Sequence, residues 1–171
     1  MDLYFIIAQG FGILGMIMGF ISFQCKSVRN YYVFYGLLSV GFTINFLMLG
    51  AYTACLSNIV AISRSIFLAK GGVLAKKPFM WGLIILGIIL GALTWDGIFT
   101  VMLVIAITAT TITQWTGKEN IIKPWQLFCI SPLWLIHNIF KFSIGGVICE
   151  IFNMLSVIIY YMRTRNLKIN D

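Results

Sequence analysis

The sequence predicts an all-α polytopic membrane protein, with seven transmembrane helices arranged as two parallel three-helix bundles joined by a linker helix (3+1+3). Three observations carry this. The 171 residues are 60% hydrophobic and 10% charged, with mean hydropathy +0.97, whereas a soluble domain carries about 25% charge. A soluble fold of this length cannot hide so much apolar surface, so its solvent is lipid. Polar punctuation divides the chain into seven apolar stretches, each near the ~20 residues that cross a ~30 Å hydrocarbon core. Finally, polar marks recur in the first three and last three stretches at matching spacings.

The stretches lie at about 3–23, 31–49, 51–69, 79–94, 97–115, 125–141 and 144–162. Spanning segments must satisfy their own backbone, and none of these has barrel-type alternation, so each is read as a helix. The first has no basic residue before it, exceeds a signal-peptide core, and lacks a small-x-small site after it, which predicts an uncleaved span. Gly50 alone separates the second and third, a tight hairpin. The fourth, FMWGLIILGIILGALT, has almost no polar side chain and suits a linker. Its Gly87 and Gly91, like Gly15 and Gly19 in the first, form a GxxxG that reads as close packing within the bundle. Pro132 is expected to kink the sixth, with Trp125 an interfacial anchor and Trp134 directed to the core. The corresponding domains are a first bundle at 1–70, the linker at 71–95, and a second bundle with a short cytoplasmic tail at 96–171.

The net charge of +7 reports topology. Lys26, Arg29, Lys70, Lys76, Lys77, Lys118, Lys123, Arg163, Arg165 and Lys168 fall on one face, whereas Lys141 lies opposite, beside Asp2 and Asp96. The positive-inside rule then places the N-terminus outside and the C-terminus in the cytoplasm. No nucleic-acid ligand is needed to explain the basic residues. Cys25, Cys55, Cys129 and Cys149 show no metal-ligand spacing beside a single histidine, so no metal or cofactor is expected.

Gln24, Ser39, Asn45, Gly50 and Asn58 align with Gln114, Ser131, His137, Gly145 and Asn153, given small insertions in the second copy. Three spans, one crossing and three more leave both triplets facing the same way, the parallel-repeat topology. Eight residues separate Gly50 from Asn58 and Gly145 from Asn153. At ~1.5 Å per residue both carboxamides fall about 12 Å inside, near the midplane. Two facing amides could hold a polar solute; the alternative is that each ties neighbouring helices together. Asn45, His137, Asn138 and Trp134 complete the candidate substrate set.

Four further residues are candidates for gating or ion coupling. Glu150 is expected to face His137 or Lys141 across the last hairpin. Arg64 is expected to snorkel to the headgroups, the alternative being closure of a cavity or receipt of an anion. Gln24 and Gln114 are expected at the inner ends of spans one and five, as helix links or an inner gate.

FQCKS, FLMLGAYTACLSNIVAISR, SPLWLIHN and GGVICEIFNMLS together resemble the YgjV family of bacterial inner-membrane proteins, over nearly the whole chain. The resemblance implies a more distant likeness to the seven-span SWEET, PQ-loop and KDEL-receptor proteins, which share the 3+1+3 plan. It also implies that Asn58 and Asn153 are candidate substrate contacts. The Pro-Gln dipeptide of the PQ-loop proteins is absent. The expected function is a membrane transporter or facilitator of a small polar solute, working by alternating access in the lipid bilayer. The alternative is a receptor or a structural, partner-binding subunit. No catalytic constellation is present, so an enzyme is not expected; a homo-oligomer is allowed.

Overall fold

The computed structural model describes residues 3–167, with side chains through Met162. Asp2 and Lys168 lie outside the described residues, as do the side chains of Arg163 and Arg165. Helices account for nearly all of it: α1 (Leu3–Gln24), α2 (Val28–Met48), α3 (Tyr52–Lys70), α4 (Lys77–Leu93), α5 (Ile98–Thr116), α6 (Glu119–Trp125), α7 (Ser131–Phe140) and α8 (Ile144–Leu167). A short 3-10 turn, Gly72–Ala75, precedes α4. Five of these, α1, α2, α3, α5 and α8, are long and apolar enough to cross a membrane, and α4 is a shorter apolar helix.

The sixth apolar stretch is one winding helix with an interruption. A π-helical turn at Gln126–Ile130 joins α6 to α7, and helical dihedrals run through both junctions. Pro132 explains the interruption. Lacking an N–H, it cannot continue the i→i−4 ladder, and the wider turn directly before it absorbs the mismatch. The expected kink therefore takes the form of a π turn. The helix also starts earlier than its apolar run, at Glu119, with a Glu119–Lys123 ion pair along its first turns.

Packing follows a ring. α1 packs on α2, α2 on α3, α3 on α5, α5 on α7, α7 on α8, and α8 returns to α1, while α4 lies against α3 and α5. The N-termini of α1, α3, α5 and α8 meet the C-termini of α2, α4 and α7 at one end, which we call the Lys141 end. Contacts across it include Thr53 Oγ1 donating to the Thr94 carbonyl and Lys141 Nζ lying 2.6 Å from Asp96 Oδ2. Lys70, Lys77 and Lys123 mark the opposite, Lys123 end. The Lys141–Asp96 pair is partly exposed, so Asp96→Asn is expected to cost only ~0.2–1 kcal/mol. Thermal unfolding in detergent checks this; a larger loss would mean the pair is shielded from water.

Glycines set the closest approaches. A Cβ on Gly41 would lie 2.7 Å from Gly15 Cα, and one on Gly15 would lie 2.9 Å from the Leu38 carbonyl oxygen. Both GxxxG pairs serve packing inside the bundle, Gly15 and Gly19 against α2 and Gly87 and Gly91 against α5. Large apolar side chains such as Leu14, Ile17, Trp81, Ile85, Ile89 and Ile151 are exposed, whereas the interior holds Asn45, Arg64, Thr111, Gln114, His137 and Asn138. This inversion is what a lipid-solvated bundle with a polar centre requires.

Candidate functional site

A cavity of about 60 Å³ sits inside the ring, and all six ring members line it. α2 contributes Tyr35, Ser39 and Phe46; α3 contributes Asn58, Ala61 and Arg64; α5 contributes Ile107 and Thr110. From the interrupted helix come Gln126, Trp134 and Asn138, and from α8 come Cys149, Glu150 and Asn153. The π turn places Gln126 and Ile130 at its two ends against this space, in keeping with the frequent use of such turns at functional sites.

Both carboxamides singled out by their spacing reach the cavity, and neither ties helices together. Asn58 Nδ2 donates to the Ala54 carbonyl one turn back on α3 at 2.9 Å. Asn153 Nδ2 donates within α8, to Glu150 Oε2 at 3.2 Å and weakly toward Cys149 Sγ at 4.0 Å. The buried Oδ1 of Asn153 has no partner among the described residues. Each amide therefore keeps an acceptor oxygen for whatever occupies the space.

Glu150 does not meet His137 or Lys141 as the sequence led us to expect. Ser131 Oγ donates to Glu150 Oε2 at 2.5 Å, and Gln126 Nε2 donates to Ser131 Oγ at 2.7 Å. Lys141 lies beyond the end of α7, where the Asp96 carboxylate takes it. Arg64 does not snorkel either. It is 1% exposed, Nη1 donates to Thr111 Oγ1 at 3.1 Å, the guanidinium carbon lies 5.9 Å from the Tyr35 ring centroid, and Nε has no partner among the described residues. The Thr111 hydroxyl on α5 and the Tyr35 ring on α2 hold it inside the bundle, so the side chain turns inward.

Asn45 and His137 stand outside the cavity lining, in a fully buried layer between the cavity and the Lys141 end. His137 packs edge-on against Phe46, Phe99 and Trp134. Asn45 Nδ2 donates to the Ala8 carbonyl at 2.8 Å, and its Oδ1 accepts from Ser143 Oγ at 2.7 Å. Gln9 adds a second strap: Nε2 donates to the Phe142 carbonyl at 2.8 Å, and Oε1 accepts from Ile144 N–H at 2.9 Å. Together they clasp α1 and α2 to the α7–α8 turn. Gln9 was not singled out in the sequence, although a lone carboxamide inside the first apolar run was the signal for it.

Toward the other end the cavity meets a vestibule of about 430 Å³, the two sharing Phe23, Tyr35, Gln126 and Asn153. Gln114 lines the vestibule and the exposed Glu119 and Tyr160 form part of its rim. Gln24, its partner in the repeat, is exposed and lines neither space. The arrangement is thus closed toward Lys141 and accessible toward Lys123.

The chain belongs to the Imp-YgjV family of bacterial inner membrane proteins, whose sequence model it matches over residues 6–168. It is therefore a multi-pass protein of the bacterial inner membrane, in contact with lipid. No curated protein and no solved structure matches it.

Proposed function

We propose that this member of the family carries a small polar solute across the inner membrane by alternating access. Its two parallel three-helix bundles, joined by α4 as a linker, would rock about the central space. The observation that supports this most is the cavity itself. Asn58 and Asn153, from the third helix of each proposed bundle, line one cavity inside the ring and bond only within their own helices. In the 3+1+3 reading, α1–α2–α3 and α5–α6/α7–α8 are related by an axis along the membrane normal, and the α1–α8 and α3–α5 contacts are the two seams. With the basic loops inside, the Lys123 end is cytoplasmic and the conformer is inward-facing. No catalytic step is part of the reading.

A vestibule open at one end also suits a receptor, so the deciding measurement is movement of solute. A thermal-shift screen against sugars, amino acids, nucleosides and vitamins should give a hit that is lost in Asn58→Ala and in Asn153→Ala. The same solute should equilibrate across proteoliposomes containing the protein. A hit whose shift survives both substitutions would put the site elsewhere, and binding without flux would favour the receptor.

A further inference from the structure

We infer that the cavity takes a small zwitterion of the amino-acid type, its carboxylate held by Arg64 and its ammonium by Glu150. The inference rests on the carrier reading and names its substrate class. Its basis is a pair of oppositely charged side chains that no ion pair among the described residues engages. The ion pairs found among the described residues are Lys123–Glu119 and Lys141–Asp96. Arg64 has a hydroxyl partner, an aromatic neighbour and a buried Nε with no partner among the described residues. Both donors to Glu150 fall on Oε2, which leaves Oε1 without a donor among the described residues.

Buried charges without counter-charges are costly in a membrane interior, and such residues face partners or water-filled cavities. Here both face the same cavity. An anion would complete Arg64 and oppose Glu150; a cation would do the reverse. A solute bearing both charges completes both. The Oδ1 atoms of Asn58 and Asn153 are further acceptors for an ammonium, which has only donors to offer.

Size agrees with this. One water needs roughly 10–15 Å³ of such space, so a cavity of 60 Å³ holds about four to six non-hydrogen atoms. That is the size of glycine or alanine, and a longer side chain would extend past Tyr35 into the vestibule.

The repeat also explains why the ligand is polarised. Six residues after Asn58 stands Arg64, but six after Asn153 stands Ile159; three before Asn153 stands Glu150, but three before Asn58 stands Cys55. The two copies share the carboxamide and differ in charge, so the solute meets a positive bundle and a negative one.

The test is isothermal titration of the purified, unmodified protein with four probes: alanine, propionate, ethylamine and 1,2-propanediol. Alanine should bind, and propionate and ethylamine, each lacking one charge, should bind ~30-fold or more weakly. Arg64→Gln and Glu150→Gln should each weaken alanine binding by a similar factor. The probe series decides the matter on its own if either variant fails to fold. Propionate or ethylamine binding as tightly as alanine would overturn the zwitterion. Binding of the diol in place of alanine would overturn it too and leave the carrier reading standing. If no probe bound and the wider screen also gave no hit, both would fall.

Discussion

Gly145→Leu is expected to be the most damaging single substitution in the chain, lowering stability by ~3 kcal/mol or more, at or beyond the upper end of ordinary overpacking. A Cβ at Gly145 would lie 2.5 Å from the carbonyl carbon of Gly12 and 2.7 Å from its oxygen. These are backbone atoms within α1, so no side chain can swing aside to make room. The ring closes at this contact, because α8 reaches α1 here and again through Phe20 and Phe152, whose ring centroids are 5.1 Å apart. Even Gly145→Ala should be felt. Gly10→Ala is the control, since nothing lies within 4 Å of a Cβ there, and it should be neutral or slightly stabilising. Thermal unfolding in detergent compares the three; a Gly145→Leu protein that melts with the unmodified one would mean the helices do not meet at this point.

The second large effect is expected on access. Asn45→Ala removes the carboxamide that joins the Ala8 carbonyl to the Ser143 hydroxyl, leaving two buried groups unpaired at ~1–3 kcal/mol each. If that clasp holds the Lys141 end shut, its loss shifts the population toward an opening at that end by about tenfold or more. Cys149 is a built-in reporter, buried and facing the cavity. With Cys25, Cys55 and Cys129 replaced by alanine, a membrane-impermeant methanethiosulfonate should modify Cys149 from the Lys123 side and not from the Lys141 side. Asn45→Ala should raise labelling from the Lys141 side at least tenfold, and Gln9→Ala, which cuts the other strap, should act in the same direction. Unchanged labelling in both variants would make these bonds static ties and not a gate.

The sequence carried spacing and little direction. Helical rise converts residue counts into ångströms, so the intervals from Gly50 and Gly145 set matching expected depths for Asn58 and Asn153. Their facing a common space depends on how six helices pack, which spacing does not encode. Arg64 was visible as a charge inside a span. Its inward turn depends on Thr111 and Tyr35, which come from other helices. For Glu150, nearness along the hairpin suggested Lys141, yet the deeper Ser131 is the residue that its face of α8 meets. The π turn left only Pro132 as a trace in the sequence. The asymmetric pair Gln24 and Gln114 shows the limit of the repeat, because equal position in two copies does not ensure equal burial.

The placement of α4 has a consequence for how the molecule would move. It is laid along α3 and α5, so one junction is bound by a continuous ribbon of chain, like the spine of a book. The junction between α1 and α8 has no such binding and is held by a glycine-on-glycine touch, one pair of phenyl rings and, at the Lys141 end, the Gln9 bonds. Any opening would swing widest at that fore-edge, where acyl chains could slip between the covers.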